Sequence, residues 1–246
     1  MAGMKARDRI SMAMVHGNAL LALAAAVLWG GGDFSGGMAV KSAGGTMGAA
    51  LRVILLSHVV SLGILLILAW VRGDAFPHGA ALAWGLSAGA MAGIALACFY
   101  VALSRGAMGA SAALSGLLAA AIPAAVSAGG EGSPGLVRLV GFLVAGAAIW
   151  LIAAGPNPEA KAGGEKFRLT RVMMAWTMGA VLLDTAGNLL FIAATRAGRL
   201  DVAAVLASLY PASTILLAAW TLHERPTRRQ GLGMAVAAAA VVMITL

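Results

Sequence analysis

Apolar side chains run through this chain in stretches of about twenty residues, parted by short polar breaks. A helix of about twenty apolar residues crosses about 30 Å of hydrocarbon, so the pattern dictates a bilayer as solvent. The windows are Asn18–Val40, Gly48–Val71, Ala80–Leu103, Ala107–Ala128, Gly135–Ala154, Val172–Ala194, Val202–Thr221 and Gln230–Leu246. They are unbroken and rich in Ala and Leu, without the alternation of a barrel strand, so each predicts a helix whose backbone groups pair internally. The expected fold is an all-α integral membrane protein with about eight transmembrane helices. Composition agrees: 61% of residues are apolar and 11% charged, against about 45–50% and about 25% in soluble domains. A soluble enzyme and a secreted domain are thereby excluded. The net charge of +8 is scattered through the breaks rather than gathered on one face, so no nucleic-acid partner is expected. Cys98 is the one cysteine, which excludes a disulfide framework.

Residues 1–17 form an N-terminal tail with Lys5, Arg7 and Arg9 ahead of the first run. A signal peptide has a similar opening, but seven further spans favour a retained first helix. Lys and Arg divide almost evenly between the two sides of the eight-span arrangement, so positive charge selects no orientation. The longest break, 155–171, holds Pro156, Pro158 and several charges and reads as a linker between two halves. An internal repeat straddles it. Residues 83–106 (AWGLSAGAMAGIALACFYVALSRG) and 175–198 (AWTMGAVLLDTAGNLLFIAATRAG) share an opening Ala-Trp and a closing aromatic, Ala, Ser or Thr, and Arg. Each is followed by a small-residue span with one proline, Pro123 or Pro211. A Glu-containing turn and a Gly-rich closing span come next. Three helices per copy turn the second copy upside down relative to the first, the arrangement from which many secondary transporters build a midplane site.

The order of the short motifs resembles a known family. Trp29-Gly30-Gly31-Gly32-Asp33-Phe34 lies within the first span. Asp184-Thr185-Ala186-Gly187-Asn188, Ala194-Thr195-Arg196, Ser208-Leu209-Tyr210-Pro211 and the turn from His223 to Gln230 follow in the second copy. Together they resemble the drug/metabolite transporter superfamily, in its EamA-domain branch of ten-helix carriers, over nearly the whole chain. The resemblance implies two inverted EamA-like repeats, unequal here. The first, 18–154, has five helices. The second, 172–246, has three and lacks counterparts of the first two spans. It implies a plasma-membrane carrier, placed in a bacterial inner membrane, that moves small organic metabolites or drugs by alternating access. No catalysis and no cofactor are expected.

Ionisable groups within spans are costly and point to function. Asp33 lies in a glycine cluster, where it either binds a proton or a cationic group, or caps a half-helix. Asp184 and Asn188 stand one turn apart on one helix face, facing a cavity or bridging helices. Tyr100 and Tyr210, by their repeat and family positions, together with Trp29, are expected to line the solute path. Arg52 is read as snorkelling to the interface and His58 as a satisfied neutral histidine. Pro123 and Pro211 are candidate hinges, since a proline in mid-span removes a helix hydrogen bond. Gly85, Gly89 and Gly93 form a small-residue face for helix packing, and a homodimer is a further expectation. The competing reading is a non-transporting membrane paralogue that acts as a helix-packing partner.

Overall fold

The computed structural model describes residues 2–106, 108–118, 136–153, 169–197, 203, 206–223, 225 and 227–245, with side chains described from Ala19 onward. Pro123, the Glu131–Pro134 turn and most of the 155–171 linker lie outside these residues. Eight helices are bounded among them: α1 Ala2–Ser42, α2 Met47–Arg72, α3 Gly79–Arg105, α4 Met108–Leu118, α5 Leu136–Ala153, α6 Arg171–Ala197, α7 Tyr210–Thr221 and α8 Arg228–Thr245. No strand occurs among the described residues. Four stretches, Ala19–Ser42, α2, α3 and α6, are long and apolar enough to cross a membrane. The chain is an all-α, multi-pass membrane protein.

The helix ends follow from local chemistry. The first connection turns through Gly44 and Gly45 at φ 107° and 65°, a region open to glycine at no steric cost. Thr46 then caps α2, its hydroxyl accepting from the Ala49 N–H at 3.0 Å. Arg105, ending α3, donates to the Gly45 carbonyl at 2.6 Å and ties the two turns together. Thr170 caps α6 through the Met173 N–H at 3.1 Å.

The chain divides into two compact units. One comprises 1–31, 107–158 and 186–246; the other 32–106 and 159–185. Helices α1 and α6 each contribute to both. In the first unit α5 packs along α8. Ala113 and Leu117 of α4, Ala145 and Ala148 of α5 and Ala237, Ala240 and Val241 of α8 form its buried core. A second cluster joins Ala22, Ala194 and Ala203. Alanine at these seams lets backbones approach closely, which is how helices associate where lipid supplies no hydrophobic drive. Arg229 sets its guanidinium 4.4 Å over the Trp150 ring, a cation–π contact at the paired ends of α8 and α5. In the second unit Val53 and Ile54 of α2, Ala97, Tyr100 and Leu103 of α3, and Met173, Ala180 and Val181 of α6 are buried. Phe34 meets Trp176 edge to face at 5.8 Å. Elsewhere α2 and α3 present large apolar side chains outward, among them Leu55, Leu62, Ile67, Trp84, Leu86 and Met91.

Pro211 departs from the expected mid-span hinge. The chain turns at Ser208 and Leu209, and Pro211 stands in the first turn of α7. There its missing N–H costs no helix bond and its preset φ suits a helix start. Gly85, Gly89 and Gly93 also differ from expectation. No heavy atom of the described residues lies within 4 Å of where a Cβ would stand on any of them, so they seat none of the described helices.

Candidate functional site

Each unit holds its own polar cluster, built on close approach to the backbone of α1. In the second unit, a Cβ on Gly32 would collide with the Asp184 carboxylate, and one on Gly36 with the Tyr100 ring. Bare backbone at these two positions therefore admits Asp184 from α6 and Tyr100 from α3. The Tyr100 hydroxyl donates to Asp184 Oδ2 at 3.3 Å, across 84 residues of sequence, and its side chain is 1% exposed. Asp33 is buried on the same stretch of α1 at 9% exposure, next in the chain to Gly32, against which the Asp184 carboxylate lies. Ser61 of α2 and Thr185 share a hydrogen bond at 2.6 Å, next to Asp184 in the chain. The ion pair found among the described residues is Arg72–Asp74 at the exposed end of α2. Neither Asp33 nor Asp184 has a described basic partner.

In the first unit, Trp29 Nε1 donates to Asn188 Oδ1 at 3.2 Å, with the indole laid against Gly187. Phe191 lies 5.1 Å from the Trp29 ring, and Tyr210 meets it edge-on at 6.5 Å. The T-shaped pair suits the aromatic quadrupole. The Tyr210 hydroxyl shares a 3.0 Å hydrogen bond with Ser115 of α4. Helix α7 also bonds to the main chain of α1. Ser213 donates to the Ala26 carbonyl at 3.1 Å and Thr214 to the Gly30 carbonyl at 2.9 Å. A separate, mostly apolar pocket of about 100 Å³ is lined by Gly116, Pro211, Ile215, Met234 and Ala237.

Six of the residues singled out from the sequence fall in these clusters. Asp33, Asp184 and Tyr100 belong to one; Trp29, Asn188 and Tyr210 to the other. His58 stays outside both, exposed, its Nδ1 2.9 Å from the carbonyl of Ile54. Arg52 is exposed on α2. The hydroxyls of Ser61, Ser115, Ser213 and Thr214 went unsuspected. Single Ser and Thr residues in an apolar span carry no pattern. No group of His, Cys, Asp or Glu suited to a metal occurs among the described residues. Ser87, within a Gly-x-Ser-x-Gly string, donates to Ala83 of its own helix at 2.8 Å, not at the strand-to-helix turn a nucleophile of that motif needs.

The family model of the EamA-like transporter family matches residues 107–246, from the start of α4 through α8. No curated protein and no solved structure matches the chain.

Proposed function

The chain belongs to the EamA-like transporter family, and from that premise we propose that it is a plasma-membrane carrier of small organic metabolites or drugs, working by alternating access. The observation that carries the reading is the pair of carboxyls, Asp33 and Asp184, held in membrane helices with the Tyr100 hydroxyl on one of them and no described basic partner. Burying a charge without a partner is so costly that such a pair is retained for what it binds. A proton taken up there couples transport. Within the first unit, Trp29, Phe191 and Tyr210 present aromatic surface and Asn188 an amide. The inverted repeat is supported by the packing of elements it makes equivalent. The closing helices α5 and α8 lie together, and Gly116 of α4 abuts Pro211 of α7.

The test is a solute-uptake screen in a strain lacking the gene, with and without the chain restored, followed by uptake into proteoliposomes. Asp33→Asn should abolish the pH dependence of uptake, and an unchanged pH profile would overturn the coupling role. A second reading, a helix-packing partner or homodimer, is favoured by the open face at Gly85, Gly89 and Gly93. Cysteine at Gly89 should then cross-link within the membrane, and its failure to do so would remove this reading.

A further inference from the structure

Among the described residues, Asp33 of the second unit is a buried carboxyl with no hydrogen-bond partner. It is 9% exposed, and no described donor reaches it. Asp184, whose carboxylate lies against Gly32, the residue before Asp33, receives one described side-chain donor, the Tyr100 hydroxyl. An ionised carboxylate accepts only, at about four lone-pair positions, so one O–H leaves the pair far short of donors. The neighbouring hydroxyls do not make up the difference, since Ser61 and Thr185 are engaged with each other at 2.6 Å. Gly32 presents bare backbone against the Asp184 carboxylate, which holds that side chain close to α1. What the described residues do not supply to the site is positive charge together with several N–H or O–H donors.

We propose that Asp33 and Asp184, with the Tyr100 hydroxyl, bind the ammonium group of a small organic amine. The site as a binding site stands on the geometry alone. That the amine is also the transported solute rests on the carrier reading above. An ammonium carries one positive charge and up to three donors on a single atom, so it answers both deficits at once. An anionic solute meets two carboxyls and is repelled, and a neutral alcohol leaves the charge uncompensated. No group of three or more His, Cys, Asp or Glu that could hold a metal ion occurs among the described residues.

Equilibrium binding of radiolabelled benzylammonium to the purified full chain in detergent tests the site. Saturable binding is expected, displaced by unlabelled benzylammonium and left intact by equal benzyl alcohol or benzoate. Asp33→Asn and Asp184→Asn should each weaken it by at least about tenfold, because each strips charge from a buried ionic contact. Asp74→Asn, at the exposed ion pair, should leave it unchanged. A measurement on the unaltered chain guards against variants that fail to fold. Dicyclohexylcarbodiimide, which modifies carboxyls in apolar surroundings, should label Asp33 or Asp184, and benzylammonium should reduce that labelling several-fold where benzyl alcohol does not. The proposal is overturned by the absence of saturable binding, by binding that survives both substitutions, or by equal protection from the alcohol. Binding without uptake into proteoliposomes would overturn the carrier reading and spare the site. Uptake of neutral or anionic solutes without benzylammonium binding would do the reverse.

Discussion

Alanine at Gly187 puts a methyl carbon where Trp29 already stands. The new Cβ would lie 2.7 Å from Trp29 Cδ1, 3.0 Å from Nε1 and 3.3 Å from Cγ, whereas carbon atoms settle at about 3.5–4.0 Å. The indole must therefore retreat by about 0.8 Å or more. A retreat of that size stretches its 3.2 Å bond to Asn188 past hydrogen-bonding range. Overpacking costs about 1–3 kcal/mol, and an interhelical hydrogen bond in a membrane protein is worth about 0.6 kcal/mol. Exchanging glycine for alanine inside a helix returns about 1 kcal/mol. The net loss is thus about 1–2 kcal/mol, read as a shift in reversible unfolding by sodium dodecyl sulfate in mixed micelles. Trp29→Ala supplies the decisive control, because removing the indole frees the space. In that background Gly187→Ala should stabilise by up to about 1 kcal/mol, reversing sign and giving a coupling energy of about 2–3 kcal/mol. An equal effect of Gly187→Ala in both backgrounds would refute the close approach of Trp29 to α6.

The remaining predictions concern single contacts. Thr214→Val keeps the shape of a side chain that is fully buried but removes its 2.9 Å bond to the Gly30 carbonyl. It should cost about 0.6 kcal/mol and no more than about 1.7 in the same unfolding assay. Tyr100→Phe deletes the donor to Asp184, so uptake should fall while stability changes by less than about 1 kcal/mol, and a wild-type transport rate would remove Tyr100 from the site. Gly89→Leu meets open space among the described residues and should shift stability by less than about 0.5 kcal/mol. If the α3 face joins two copies, native electrophoresis will show the dimer lost.

Much of the architecture was legible because membrane helices announce themselves by length and hydropathy alone. Expected boundaries such as Gly48–Val71 and Val172–Ala194 fall within a few residues of α2 and α6. The spacing of Asp184 and Asn188 was equally readable, and each does bond a side chain from another helix, Tyr100 and Trp29 respectively. What the sequence could not convey was rotation. Which face of α1 meets which neighbour depends on how helices far apart in the chain are turned, and an Ala-rich span is nearly featureless around its circumference. The hydroxyl partnerships of Ser61, Ser115 and Thr214 stayed hidden for that reason. Pro211 was misjudged because a continuous apolar run conceals the turn at Ser208 and Leu209, where the span restarts.

Along α1 the contacts at Gly30, Gly32 and Gly36 are made by what is missing from the side chain. Gly30 abuts Ser213 and the Tyr210 carbonyl, Gly32 the Asp184 carboxylate, and Gly36 the Tyr100 ring. This inverts the usual logic of scanning mutagenesis. Alanine, ordinarily the gentlest truncation, is here an insertion, and at these three positions it should prove nearly as harmful as leucine. At Leu20 or Val27 on the same helix, both well exposed, almost any apolar residue should pass. Tolerance along this helix will therefore follow the volume a position can accept, with hydrophobicity a poor guide to it.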